Sequence, residues 1–228
     1  MSHMEQFDIR KEKCAVVIVA GGKGLRMGTD IPKQFLVVNG SPILMQTIKR
    51  FYECNSSFQI IVVLPEEQIS YWKDLCKEYQ FAIPHDIACG GSERFYSVKN
   101  GLSLVSPDAS LIAIHDGVRP YVSSDVIVEC FKKANESGSV IPVVDVFETL
   151  RHVQKDGTSI TVPRAEYKLV QTPQVFKKDI LFKAYSQEFD SKFTDDASVV
   201  ENLGYPVSLV QGNRENIKIT TKADLGCK

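Results

Sequence analysis

Cys14-Ala15-Val16-Val17-Ile18-Val19 runs directly into Ala20-Gly21-Gly22-Lys23-Gly24-Leu25-Arg26-Met27-Gly28, with Pro32-Lys33-Gln34 just beyond. Six consecutive apolar residues without alternation predict a strand buried on both faces. The glycines that follow let backbone N–H groups approach a ligand closely. Arg26 and Lys33 stand seven residues apart across a turn containing Pro32, so both side chains can converge on one anionic group. The expected ligand is a phosphate.

Two other glycine motifs would imply different chemistry, and neither fits. The Walker loop requires Gly-Lys followed by Ser or Thr, whereas Gly22-Lys23 is followed by Gly24. The dinucleotide fingerprint requires a glycine three residues after Gly24, where Met27 stands, and Gly28 lies one residue too far. For the loop alone, a glycine-rich strand-to-helix turn without a ligand stays open.

Outward from this loop, apolar runs alternate with helical patterns. Ala15–Val19, Ile60–Leu64, Phe81–Ile83, Leu111–Ile114 and Val140–Val144 are predicted strands. Pro42–Cys54 places Ile43, Leu44, Thr47, Ile48 and Phe51 on one helical face, with Pro42 suited to a first turn. Glu66–Tyr79, Glu93–Val105 and Ser123–Ser137 are further helices. Strand, crossover helix and strand imply a mostly parallel sheet, with ligands beyond the carboxyl ends of its strands. Between Asp145 and Pro163 the alternation gives way to β-favouring sequence around Asp156-Gly157, a hairpin signal, and predicts a projecting β-arm. That arm could not bury Val146, Phe147 and Leu150 by itself. Tyr167–Thr172, Val207–Gln211 and Asn216–Thr220 read as late strands, and Thr194-Asp195-Asp196 as a helix start with a capping hydroxyl.

Three further segments carry candidate chemistry. Asp116, in His115-Asp116-Gly117-Val118-Arg119-Pro120, falls at a strand end facing the same crevice as the glycine loop. A carboxylate there can hold Mg²⁺ or a ligand hydroxyl and Arg119 can neutralise phosphate. An Asp–Arg ion pair that merely stabilises a turn fits equally. His115 reads as a packed, hydrogen-bonded residue rather than a catalytic base. Gly90-Gly91-Ser92-Glu93-Arg94, with Ser97 a turn later, opens a helix N-terminus suited to anions or base edges, or simply caps the helix. Lys218 and Arg164, each alone, read as solvated charges.

Composition limits the partners. With 228 residues, 43% hydrophobic, 24% charged and a net charge of −1, the chain reads as one soluble domain without a basic field for nucleic acid or an anionic membrane. Cys14, Cys54, Cys76, Cys89, Cys130 and Cys227 form no C-x-x-C pair and read as reduced and structural. No apolar stretch reaches the roughly 18 residues of a membrane span, and no signal-peptide pattern opens the chain, so a cytoplasmic protein is expected. Residues 1–4, Met1-Ser2-His3-Met4, resemble an expression-tag remnant.

Together, the glycine loop, Pro32-Lys33-Gln34, Gly90-Gly91 with Arg94 and Ser97-Val98, His115-Asp116 with Arg119-Pro120, Thr172-Pro173-Gln174, Thr194-Asp195-Asp196-Ala197-Ser198 and Glu215-Asn216-Ile217-Lys218-Ile219-Thr220 carry a resemblance. Over roughly residues 13 to 225 the chain resembles the sugar-alcohol phosphate cytidylyltransferase family, above all its members acting on 2-C-methyl-D-erythritol 4-phosphate in non-mevalonate isoprenoid biosynthesis. The resemblance implies a single-domain, Rossmann-like α/β nucleotidyltransferase fold with a protruding β-arm. By resemblance, Arg26 and Lys33 stabilise the transition state at the α-phosphate of CTP, and Arg164 and Lys218 position the attacking phosphate. Ala20, Gly21, Gly22, Gly24, Gly91, Ser92, Ser97 and Asp116 would meet the nucleotide, and Asp116, Arg119 and Thr149 the substrate region. Mg²⁺ would be held mainly by CTP phosphates, with Asp116 as its protein contact. Residues 145–163 would form a homodimer in which Thr149 and Arg164 serve the neighbour's site. Ribitol 5-phosphate is the alternative substrate. A non-catalytic nucleotide-binding protein is a distant alternative, expected to have lost Arg26, Lys33 or Lys218, all of which remain.

Overall fold

β1 (Cys14–Val19) is the strand around which the molecule is built, with five of its six residues buried. A computed structural model describes residues 7–21, 31–221 and 223–224. Gly22, Gly24, Arg26 and Cys227, as well as residues 1–4, lie outside the described residues. After a 3-10 turn at Lys33–Phe35 come a small ladder, β2 (Val37–Val38) and β3 (Ser41–Pro42), and then α1 (Ile43–Cys54). The alternating part continues through β4 (Gln59–Leu64), α2 (Glu66–Glu78), β5 (Asp86–Cys89), α3 (Arg94–Leu102), β6 (Leu111–Asp116), α4 (Ser124–Ser137) and β7 (Ser139–Asp145). A hairpin of β8 (Leu150–Val153) and β9 (Ser159–Val162) follows. The chain then forms β10 (Lys168–Val170), β11 (Gln174–Lys177), α5 (Lys178–Ala184), α6 (Asp196–Glu201) and β12 (Ser208–Gln211).

The main sheet has the order β10-β7-β11-β6-β1-β4-β5, with β12 also on β7. β1 pairs in parallel with β4 and β6, and β4 with β5, whereas β11 inserts antiparallel to both β6 and β7. Alternate residues of the central strands feed two cores. Val16, Ile18, Ile60, Val62, Leu111 and Ala113 face α1, α2 and α4 on one side. Ala15, Val17, Ile61, Val63, Ile112 and Ile114 face α3, α5 and α6 on the other. Each fully buried Val, Leu or Ile side chain contributes roughly 1.5–3 kcal/mol. Coverage on both faces therefore fixes the strand ends from which the site is built.

Four expectations for secondary structure are corrected. Phe81–Ile83 is not a strand: Pro84 follows it, its apolar side chains pack against the first core, and pairing with β4 begins only at Asp86. Asn216–Thr220 is not a strand either. Ile219 is buried and its N–H donates to the Val118 carbonyl at 3.0 Å, so the alternation reflects one anchored side chain rather than a ladder. α6 is capped by the Asp195 carboxylate in a capping box with Ser198, not by the Thr194 hydroxyl. Pro42 sits just before α1 rather than within its first turn.

The hairpin is where Asp156-Gly157 indicates it. Gly157 has φ +85°, a left-handed conformation that favours glycine, and Asp156 accepts from the Thr158 N–H at 2.9 Å. β8 and β9 form a separate two-stranded sheet. Val146 is buried within its own chain, unlike the expectation for it, whereas Phe147, Val153 and Ile160 are more than half exposed.

Candidate active site

The chain leaves β1, β4, β5 and β6 at one edge of the sheet, and backbone bonds hold the exits together. The Ala20 N–H donates to the Val63 carbonyl at 2.9 Å, that of Gly117 to Val19 at 2.8 Å and that of Gly90 to Leu64 at 2.7 Å. Between these exits lies a cleft of about 280 Å³, lined among others by Ala20, Gly21, Lys33, Gly91, Ser92, Arg94, Ser97, Asp116 and Lys218. Residues more than 190 positions apart in sequence thus share one cavity because parallel strands end on the same side.

At the second glycine turn, the Gly91 N–H donates to Ser97 Oγ at 3.0 Å, and that hydroxyl donates to the Glu93 carbonyl at 3.1 Å. A Cβ on residue 91 would lie 2.4 Å from Tyr96 Cβ, so only glycine lets the turn close over the start of α3. On the facing wall, buried Gln34 donates from Nε2 to the Ala20 carbonyl at 2.8 Å, tying the turn that carries Lys33 to the end of β1. Phe35, the last residue of that turn, stacks on Trp72 with ring centroids 6.0 Å apart. The Trp72 indole N–H in turn donates to His85 Nε2 at 3.0 Å.

Asp116 is the electrostatic centre. Its Oδ2 receives Arg119 Nε at 3.0 Å and lies 3.2 Å from Lys218 Nζ. Burial favours the protonated acid, but Lys218, Arg94 and Arg119 together outweigh it and hold this carboxyl well below the usual carboxylate range. His115 is fully buried, edge-on to Phe51. Its Nε2 faces the Arg119 carbonyl at 3.1 Å, which can only accept, so Nε2 carries the proton. Nδ1 then accepts from the Thr172 hydroxyl at 2.9 Å, and that same oxygen accepts the Asp116 N–H. Burial pushes the imidazole pKa down to about 4, so His115 is a neutral brace, as its sequence context suggests.

Beyond Asp116 the cleft opens into a second compartment of about 300 Å³, to which Arg119, Thr172, Gln174, Thr194 and Asp195 contribute. Arg94, Asp116 and Lys218 line both compartments. Arg94 makes a two-pronged bond to Asp196 at 2.8 and 2.7 Å, and Tyr185 donates to the same carboxylate at 2.6 Å. Gln174 bridges the start of α6, donating to Asp195 at 2.8 Å and accepting the Ala197 N–H at 2.9 Å.

A cleft at parallel strand ends, walled by glycine turns and centred on one carboxylate among three cations, suits a polyanionic nucleotide and a second anion. The sequence profile of 2-C-methyl-D-erythritol 4-phosphate cytidylyltransferase matches residues 14–227. The chain belongs to this family. Among cytidylyltransferases so named, that of Phocaeicola vulgatus is 61% identical over 210 residues, covering 92% of this chain and 95% of the relative. That of Bacteroides thetaiotaomicron is 59% identical over 213 residues, covering 93% and 96%. Among solved structures, 4-diphosphocytidyl-2C-methyl-D-erythritol synthase of Anaerococcus prevotii superposes with a TM-score of 0.79 at 26% identity, covering 94% and 95%. The Thermus thermophilus cytidylyltransferase superposes with 0.73 at 31% identity, covering 93% and 95%. The mostly parallel, Rossmann-like single-domain fold is shared with these enzymes.

Measured against the residues that the family resemblance singles out, the cytidylyltransferase cleft gathers Ala20, Gly21, Lys33, Gly91, Ser92, Ser97, Asp116 and Lys218, with Arg119 in the adjoining compartment. Thr149 and Arg164 line neither compartment. Thr149 is exposed just before β8, and Arg164, exposed in a 3-10 turn at Arg164–Glu166, donates to the Phe147 carbonyl. The roles of Gln34, Thr172, Asp196 and Tyr185 were missed, although three of them lie in or next to quoted motifs. Among the described residues no group of three potential metal ligands converges, and no helix is long and apolar enough to cross a membrane.

Proposed function

We infer that this chain transfers the cytidylyl group of CTP to 2-C-methyl-D-erythritol 4-phosphate, giving 4-diphosphocytidyl-2-C-methyl-D-erythritol and pyrophosphate for non-mevalonate isoprenoid biosynthesis. The single observation that carries this reading is membership of that family over residues 14–227. It favours the methylerythritol substrate over ribitol 5-phosphate and an enzyme over a non-catalytic binder.

The substrate's phosphate oxygen forms a bond to the α-phosphorus while the bond from that phosphorus to the pyrophosphate oxygen breaks. A phosphate monoester, with a second pKa of about 6, is largely dianionic at neutrality and needs no general base. Fully buried His115 lines neither compartment, which agrees with this. The obstacle is repulsion between anions, and fixed positive charge where negative charge accumulates lowers the barrier. Arg26 and Lys33 are assigned to the α-phosphate, Lys218 and Arg164 to the attacking phosphate, and Gly91, Ser92 and Ser97 to the cytidine. The Lys218–Asp116 contact favours holding that lysine at the boundary between the compartments before substrate arrives.

The donor set suits a phosphate-held divalent cation rather than a protein cage, because Asp116 is the carboxylate common to both compartments and no three ligands converge among the described residues. When bound, Mg²⁺ would add positive charge at the triphosphate, with Asp116 as its protein contact. The β8–β9 hairpin serves as the dimer arm in this reading, and its exposed Val153 and Ile160, with Phe147 just before β8, support a covering partner. Thr149 and Arg164 then complete the partner's cleft. A cytoplasmic setting completes the assignment, in keeping with the free thiols of the five described cysteines.

Purified protein incubated with CTP, Mg²⁺ and each alcohol phosphate tests the assignment. Pyrophosphate release should be strong with methylerythritol phosphate and weak with ribitol phosphate. The reverse order, or no release with either, would overturn it.

A further inference from the structure

We propose that Tyr185 and Asp196 are positioning residues of the cytidylyl transfer, which fix Arg94 between the two compartments before either substrate binds. The inference rests on the reaction assigned above.

Arg94 is one of only three described residues that line both compartments, and the other two, Asp116 and Lys218, are bonded to each other. A polyanion reaching from one compartment to the other passes all three. Asp196 is fully buried and takes both prongs of the Arg94 fork. A guanidinium has five N–H donors, so this bond leaves three for a ligand while fixing the plane of the fork. The Arg94 side chain keeps about a third of its surface open, at 32%, whereas that of Asp196 is at 0%. The charge is presented to the cleft and its anchor is withheld from it.

The anchor is itself held. Asp196 stands in the first turn of α6, directly after the N-cap residue Asp195, and Gln174 of β11 pins that turn by both ends of its amide. The Tyr185 hydroxyl supplies the third bond to the carboxylate, and its ring stacks on Phe95, next to Arg94 in α3, with centroids 4.9 Å apart. Burial, then the charge of Asp196, keeps this phenol protonated, so it remains a donor. A cation oriented in advance costs no reorganisation when charge builds up at the reacting phosphates. Loss of the hydroxyl should therefore act on turnover more than on binding.

Tyr185→Phe removes one oxygen and retains the stacked ring. It is expected to lower kcat roughly five- to tenfold, with KM for both substrates within about twofold, because only an interaction used in the transition state is lost. Arg94→Lys keeps the charge without the fork and should lose on the order of 10² in kcat. The deciding measurement is the double variant: if Tyr185 acts through Arg94, adding Tyr185→Phe to Arg94→Lys changes kcat by less than about twofold. Arg94→Gln, which keeps donors for Asp196, replaces Arg94→Lys if the latter does not fold. Multiplied losses, or wild-type turnover in Tyr185→Phe, would overturn the proposal while leaving the assigned reaction intact. No product from the unaltered protein would overturn both.

Discussion

Lys218 Nζ and Arg119 Nε meet the same oxygen of Asp116, at 3.2 and 3.0 Å, although Lys218 comes about a hundred residues later in the chain. One buried carboxylate thereby spaces two cations that would otherwise repel each other or wander into solvent. Lys218, with 44% of its side chain exposed, is the one left able to follow an anion.

Lys218→Ala should accordingly raise KM for the alcohol phosphate by about tenfold or more and also slow turnover, since an attacking group no longer held in line reacts less often. KM for CTP should change by less than about threefold. Initial rates with each substrate varied in turn separate the two constants. A larger effect on CTP would exchange the roles given to Lys218 and Lys33.

Lys33→Ala and Arg26→Ala are expected to lower kcat by on the order of 10²–10³, because in the proposed roles their charges matter most when the α-phosphate becomes five-coordinate. CTP should still bind measurably. Equilibrium dialysis alongside single-turnover kinetics would show this, and a loss of tenfold or less in both variants would sink the assignment.

Arg164 offers a test of assembly. Lys33→Ala and Arg164→Ala proteins should each be nearly inactive, yet mixing them under subunit exchange should restore part of the activity, because each heterodimer contains one site with both residues intact. Sedimentation or native mass measurement verifies the heterodimer. No recovery in a verified heterodimer would return Arg164 to its own subunit or remove it from the chemistry.

His115 predicts a pH dependence of stability. Its pKa is 6.5 in the unfolded chain and about 4 in the fold, so between these values the unfolded chain binds the extra proton. Stability from this group is complete above about pH 6.5 and falls as the pH drops toward 4, by roughly 3 kcal/mol in all. Asp116 acts only lower, since its folded pKa lies below the ordinary 3.8. Denaturant titrations across this window should give a shallower slope for His115→Gln than for the wild type, whatever their difference at pH 7. Equal slopes would assign the effect to other groups.

The buried strands were legible because β1, β4, β6 and β7 must be apolar on both faces, and the hairpin because Asp156-Gly157 has few other uses. β11 was not. Its four residues gain their place only by antiparallel insertion between β6 and β7, a long-range pairing that local pattern does not record. The displacement of the predicted strand from Phe81 to Asp86 has a similar cause, as apolar residues packing under α2 look like strand residues in sequence. In the site, Gly21, Lys33 and Asp116 were legible as walls of one crevice, because the ends of parallel strands lie on one side. The partnership of Arg94 with Asp196 spans 102 positions and is decided wholly by how α3 and α6 dock on the sheet.

Trp72 is the chain's only tryptophan, fully buried, and its ring lies against Phe35 at the end of the turn that presents Lys33. The molecule therefore carries its own optical reporter. Selective excitation of this one indole should register a shift of the Lys33 turn as an emission change, and where CTP moves that turn, occupancy becomes readable without label or turnover. Variants too slow to assay by product formation could then be ranked by titration alone.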